Sequence, residues 1–292
     1  MNRRAVVAVV IAVALAAVLT VIAVTAAAPG RRVSPAAVEA SGARVDLTSF
    51  GLNTPHSAAT VPYGTLRLWD TRTTWAHLEP TRGVFDWERL DGYVEQARSQ
   101  HVRVLLVLGS TPAWAATEPT APGAGWLARG SSSPPRSDAD WVAYVDAVLA
   151  RYRGRIEAYQ VWNEAQSPQF WKGTPQGLAH LTQLTAARVA ALDPAALVVA
   201  TPLQPRQAHW QLWSAAYLAA LADRGWPVDV FAVHSYQPDA LADPDGRFGL
   251  MRQVQAVLRA AGAPRHPLWD TEVNYSSPAF GGHPVQGQQA AD

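Results

Sequence analysis

The chain of 292 residues contains no cysteine. That excludes disulfide bridges, thiolate metal sites and cysteine nucleophiles. Lysine is almost absent: Lys172 is the only one, and the positive charge is otherwise arginine. The 24 basic and 23 acidic side chains leave a formal net charge of +1, so the basic footprint of a nucleic-acid binder is missing. The eight histidines are scattered without ligand spacing, so neither a metal nor another cofactor is expected. The first strand-like segment runs into Phe50-Gly-Leu-Asn-Thr-Pro, which lacks the glycine spacing of a phosphate-cradling loop. What is plentiful is apolar. At 49% hydrophobic residues the chain can bury a sizeable core, in one large domain or two small ones.

The N-terminus reads as a separate unit. Met1-Asn-Arg-Arg precedes an uncharged run, residues 5–28, that ends in Ala26-Ala27-Ala28. A positive start, an apolar middle and small residues at the end are the marks of an export signal. The run exceeds the usual cleavable core and approaches the roughly 20 residues that span a bilayer. Residues 1–28 are therefore expected to be a signal peptide or a membrane anchor. Either one places the remainder outside the cytoplasm, in the extracellular space or cell envelope. Residues 29–44 are small, polar and proline-bearing, and are expected to be a linker. Residues 45–292 then form the domain.

Within that domain, short β-branched or apolar runs alternate with helical periodicity. Strands are expected at 45–53, 65–69, 102–108, 156–162, 197–201, 229–234 and 267–272. Leu90, Val94 and Ala97 mark one helical face. Ser137 caps a helix that carries Trp141, Tyr144, Val145 and Val148. Thr174-Pro175 opens another, which Asp193-Pro194 closes, and Leu250, Val254, Val257 and Leu258 mark one more. Such alternation makes an α/β fold with a parallel sheet under helices. An open doubly wound sheet competes with a (β/α)8 TIM barrel of about 250 residues. The missing phosphate loop and the polar residues at strand C-terminal ends favour the barrel. Seven strands can be counted, not eight.

The chemistry collects at those ends. "QVWNEAQSP" puts Asn163 and Glu164 after the fourth strand, and "LWDTEVNY" puts Glu272 after the seventh. In a barrel these ends face each other across the mouth. Two opposed carboxylates are what glycosidic hydrolysis needs: one protonates the leaving oxygen, the other attacks or activates water. His234 and Tyr236, two apart in "VHSYQP", share a face at the end of strand six and are expected to position Glu272 or bind a sugar hydroxyl. Arg67 interrupts the apolar strand "TLRLWD". A buried arginine needs an acidic partner, and Glu272 is the expected one, with Asp70 or Asp270 the structural alternative. Glu164, without such a cation and facing a negative neighbour, is expected to hold its proton. Asp270 is expected to be a packed, hydrogen-bonded residue. Among the tryptophans, Trp114 and Trp171 are expected sugar platforms, and Trp141 and Trp213 are expected to be core.

The stretch from Arg67 to Ala115, together with "VWNEAQSPQFW", "VHSY" and "LWDTEVNY", resembles clan A glycoside hydrolases of the family 39 and family 5 type. The resemblance runs from about Phe50 to Tyr275. It implies a TIM barrel and a retaining mechanism, with Glu164 as acid/base and Glu272 as nucleophile. It puts Asn163 at the sugar 2-hydroxyl and Arg67, His234 and Tyr236 around the nucleophile. It also implies that an eighth strand and the last helices are missing from this chain. A carbohydrate is the expected partner, and the sugar is not specified. The competing expectation is a non-catalytic carbohydrate-binding protein of the cell envelope, built on a degenerate barrel.

Overall fold

In the computed structural model of the protein, the described residues are 49–53, 62–237 and 245–273. The expectations for residues 1–28 and 29–44 lie outside them. Among the described residues, no helix is long and apolar enough to cross a membrane.

Each expected strand is present in shortened form: β1 (Gly51–Leu52), β2 (Thr65–Leu68), β3 (Arg103–Leu108), β4 (Ala158–Val161), β5 (Leu197–Val199), β6 (Phe231–Val233) and β7 (Leu268–Asp270). Residues 45–48 of the first expected strand are outside the described set. Strands β1 to β5 pair in parallel in chain order, and β6 pairs in parallel with β7. Backbone bonds join the two sets: Asp229 N donates to Val198 O at 2.8 Å, Ala200 N to Val230 O at 2.9 Å and Leu203 N to Ala232 O at 2.9 Å. The seven strands thus follow one another in sequence order, as in a β/α barrel.

The strand residues sort by parity. Leu66, Leu68, Leu106, Leu108, Tyr159, Val161, Val198, Phe231 and Val233 belong to the large core shared with the helices. Leu105, Ala158, Val199, Val230 and Ala232 form a second, smaller cluster on the opposite face. With both faces covered, the strands show no polar alternation, which is why they read as continuous apolar runs. Arg67 and Gln160 are the exceptions on that inner face, and both are buried.

The helices are α1 (Trp75–Leu78), α2 (Glu88–Ser99), α3 (Asp138–Tyr152), α4 (Pro175–Leu192), α5 (Trp210–Ala222) and α6 (Gly246–Ala260). Their signals act as the sequence implies. Ser137 Oγ accepts from Ala139 N at 3.1 Å, and Thr174 Oγ1 accepts from Gly177 N at 3.0 Å, each satisfying a free amide of a helix N-terminus. Leu90, Val94 and Ala97 bury one face of α2. α1 is a single turn, too short for periodicity to reveal. It is held by Glu79, whose carboxylate accepts from Trp75 Nε1 and Gly83 N, both at 2.7 Å.

Among the described residues, β1 and β7 do not pair with each other. A cleft of about 850 Å³ separates them, lined by Gly51, Thr65, Arg67, Trp269, Thr271 and Glu272 among others.

Leu106 is fully buried in a central strand. Replacing Leu106 with Ala is expected to cost about 2–5 kcal/mol, read as a lower urea midpoint with an unchanged slope.

Candidate active site

The chain turns sharply where β4 ends. Trp162 (φ 67°) and Glu164 (φ 40°) both occupy the left-handed region, with Asn163 between them. For residues other than glycine this costs on the order of 1–3 kcal/mol each, and such strain persists only where the surroundings enforce it. Packing enforces it here. The Trp162 indole is fully buried, donates to Phe170 O at 2.7 Å and meets Trp171 edge-on at 4.6 Å. Gly109, at the end of β3, lies against the same indole, and a Cβ there would sit 3.1 Å from the ring. The turn brings Asn163 and Glu164 together at the strand ends, both almost fully buried.

Arg67 is the centre of the arrangement. Its guanidinium, 3% exposed, uses all three nitrogens: Nε donates to Gln160 Oε1 at 3.1 Å, Nη1 to Glu272 Oε2 at 2.8 Å and Nη2 to Asn163 Oδ1 at 2.7 Å. The expected pairing with Glu272 forms, and the alternative with Asp270 does not. Asp270 accepts instead from the hydroxyl and amide of Ser235; it is hydrogen-bonded as expected, but it is exposed rather than packed. Gln160 went unnoticed in the sequence, although a glutamine within "AYQVW" is as odd as the arginine. It also donates to Ala200 O at 3.2 Å and Thr271 Oγ1 at 3.3 Å, so one amide ties β4 to β5 and to the residue after β7.

The two glutamates have unlike surroundings. Glu272 receives Arg67 on one oxygen and Tyr236 Oη, at 2.8 Å, on the other. Burial and the adjacent Glu272 charge push the Tyr236 phenol well above its ordinary pKa, so it remains a donor. Glu164 is more deeply buried, and burial raises its pKa; Arg206, Gln204 and Arg67 oppose that rise only in part. The direction matches the sequence expectation, but the main cause is desolvation rather than a missing cation. His234 departs further from expectation. Its Nδ1 lies 2.9 Å from Glu164 Oε1, while its Nε2 is 3.8 Å from Glu272 Oε2 and has no hydrogen-bond partner. It therefore contacts the buried acid instead of fixing Glu272. Full burial lowers its pKa to about 3, against the pull of Glu272, so the imidazole is neutral near pH 7 and its contact with Glu164 is not an ion pair.

Oxygen or nitrogen atoms of Glu164, His234 and Glu272 lie within 4.8 Å of one another, close enough to share a cation. Scattered histidine spacing gave no sign of this trio. A divalent ion there would sit beside the Arg67 guanidinium, which already occupies a Glu272 oxygen, and the repulsion disfavours it.

The tryptophans fall differently from expectation. Trp171 is 3% exposed and donates to Thr174 O at 3.2 Å, so its faces are covered by packing. Trp114 is half-buried, packed at 90° on Trp75, capped by the Arg82 guanidinium at 4.9 Å and bonded to Glu79 O. Neither ring is placed as an open platform. Trp141 is core, as expected. Trp213 is only half-buried and lines a second cleft of about 450 Å³ with Gln166 and Lys172.

A buried acid and a carboxylate held by arginine and tyrosine, opposed at strand ends in a barrel-like fold, resemble the site of clan A glycoside hydrolases. Comparison with known proteins gives the same relationship. The model of glycosyl hydrolase family 10 matches residues 69–180, a stretch with Asn163 and Glu164 but without Arg67, His234 or Glu272. A GH39 enzyme from Xanthomonas axonopodis pv. citri is similar at 26% identity and a TM-score of 0.59, over 74% of this chain and 46% of that one. A glucosidase from Croceicoccus marinus shares the fold at 15% identity and a TM-score of 0.60, again over 74% and 46%. So does a xylanase from Paenibacillus barcinonensis, at 17% identity and a TM-score of 0.52, over 73% and 63%. This chain therefore spans about half the length of the first two. No curated protein matches it.

Two outcomes follow for stability. Because the folded-state pKa of Glu164 is raised, its contribution to stability is present at low pH and is lost as pH rises through the folded value. Glu164→Gln is expected to raise the melting temperature at pH 7, with the gain vanishing in acid. Arg67→Lys, whose compact ammonium cannot span acceptors that the guanidinium reaches with three separate nitrogens, is expected to cost about 3 kcal/mol or more by urea unfolding.

Proposed function

We propose that the protein hydrolyses O-glycosidic bonds of β-linked glycosides or polysaccharides by a retaining mechanism, with no metal and no cofactor. The observation that carries this reading is the pair of carboxylates, Glu164 and Glu272, with oxygens within 4.8 Å of each other. Retention calls for carboxyl groups about 5–5.5 Å apart, and inversion for a wider gap of about 6.5–9.5 Å that admits a water. The similar structures, a glucosidase and a xylanase, support the reaction class without choosing the sugar.

In this mechanism Glu164 enters protonated, its proton retained by burial, and gives it to the leaving oxygen. Glu272 attacks the anomeric carbon, aligned by Arg67 and Tyr236, and forms a glycosyl-enzyme ester. Glu164, now ionised, takes a proton from water as that water attacks the anomeric carbon and displaces the Glu272 carboxylate. The sugar leaves with retained configuration, and both glutamates regain their starting states. Asn163, held by Arg67, is the residue assigned to the sugar 2-hydroxyl. The export-type N-terminus, residues 1–28, supports work outside the cytoplasm on an extracellular or envelope carbohydrate.

Glu272→Ala is expected to lower kcat on activated aryl β-glycosides by at least about 1,000-fold; turnover at the wild-type rate would contradict the assignment. Glu164 must be protonated in the first step, so kcat/KM is expected to fall as pH rises through its pKa. That basic limb is expected above the ordinary glutamate value of about 4.3. A limb at or below that value would show that another group is the acid.

A further inference from the structure

The loop after β5 carries two residues that the mechanism leaves unused. Arg206 is exposed, and its guanidinium lies 4.5 Å from the centroid of the Tyr236 ring. That stacking is its one direct contact among the described residues, with no ion pair. Gln204, two residues earlier, is fully buried; its amide lies beside the Glu164 carboxyl and makes no side-chain hydrogen bond of normal length. The loop itself is fixed, because Gln204 N donates to Gln166 Oε1 at 2.8 Å and Gln166 Nε2 donates to Ser214 Oγ at 2.7 Å. Both residues lie near Glu164: Arg206 and Gln204 each lower its pKa.

The charges of the site do not cancel. Arg67 is matched by Glu272. Burial favours the protonated form of Glu164 and the neutral form of His234, and Arg206 has no ion pair among the described residues, so it adds positive charge to the mouth. A guanidinium stacked on an aromatic face is pre-oriented, and its planar fork fits a carboxylate. A buried amide without partners is costly unless a ligand group or water completes it. Glu164 donates to the leaving oxygen, so residues beside it face the leaving group.

We propose that Arg206, with Gln204 behind it, forms a carboxylate-binding subsite on the leaving-group side of the scissile bond, selecting substrates with an acidic sugar there. This rests on the glycosidase reading for the position of the scissile bond.

The test compares aryl β-glycosides whose phenol carries either a carboxylate or a neutral carboxamide. Arg206→Gln is expected to lower the carboxylate-to-carboxamide ratio of kcat/KM about tenfold, the scale of one charge-assisted bond, with Arg206→Lys between. A second arm compares an aryl β-glucuronide with the matching β-glucoside. A drop confined to that arm would overturn the leaving-group placement, and an unchanged ratio in both arms would overturn the subsite. Titration calorimetry with a disaccharide ending in glucuronic acid, against its glucose counterpart, gives a readout independent of turnover. The wild type is expected to prefer the acid, and Arg206→Gln is expected to abolish the preference; an equal affinity of the wild type for both sugars, or no binding of the acid, would overturn the proposal. If no glycoside is turned over, the glycosidase reading fails, and calorimetry still decides whether Arg206 selects a carboxylate. Unchanged circular dichroism of Arg206→Gln controls for folding, as expected at an exposed position.

Discussion

Everything at the mouth of this fold depends on a buried guanidinium with three acceptors. Arg67 sits on the face of β2 that borders the apolar cluster of Leu105, Ala158, Val199, Val230 and Ala232. A charge in that place costs several kcal/mol unless it is paired and hydrogen-bonded. Gln160, Asn163 and Glu272 meet that need from β4, from the turn after β4 and from the segment after β7. The requirement runs both ways. Arg67 is stable only when these groups converge, and their convergence sets the end of β4 opposite the end of β7. The left-handed turn at Trp162 and Glu164 can be read as part of the same constraint, since it is what points Asn163 at Arg67 and Glu164 at His234.

The same guanidinium separates two otherwise similar carboxyl groups. Glu272 lies in a positive, hydrogen-bonding setting, with Arg67 on one oxygen and Tyr236 on the other. Glu164 lies in a drier one, beside a neutral histidine, where burial raises its pKa and so favours the protonated form. In the proposed mechanism, a fixed ion pair on one side and desolvation on the other divide nucleophile from acid. Arg206 sits at the rim of this division. It tempers the pKa of Glu164 and, with no ion pair among the described residues, adds positive charge to the mouth.

Much of this was legible in the sequence because it rests on strong local signals. Two-sided burial makes β2 to β6 read as apolar runs, and Ser137 and Thr174 mark helix starts through caps that form. The pairing of Arg67 with Glu272 could be inferred because an arginine inside a strand must find an acid. What the sequence did not show is three-dimensional adjacency without periodicity. Gln160 looks like any strand polar residue until its register beside Arg67 is known. His234 has the parity to reach either glutamate, and only packing chooses Glu164. Trp171 and Trp213 both border the second cleft, Trp171 while folded inward on Trp162 and Trp213 while packed against the core from its helix, a pairing that periodicity does not reveal. Gln204 and Arg206 belong to a loop without a motif, and only their distance to Glu164 and Tyr236 draws notice.

The central claim is that Glu272 becomes covalently linked to the sugar while Glu164 manages the proton. Trapping the intermediate tests it most directly. The protein would be incubated with 2-deoxy-2-fluoro β-glycosides carrying a good leaving group, in the gluco and xylo series, then digested and mapped by mass spectrometry. The account predicts one fluoroglycosyl group, on the peptide containing Glu272 and absent from Glu272→Ala. A label on Glu164 or another residue, or turnover of the parent glycoside with inverted configuration and no label, would contradict it.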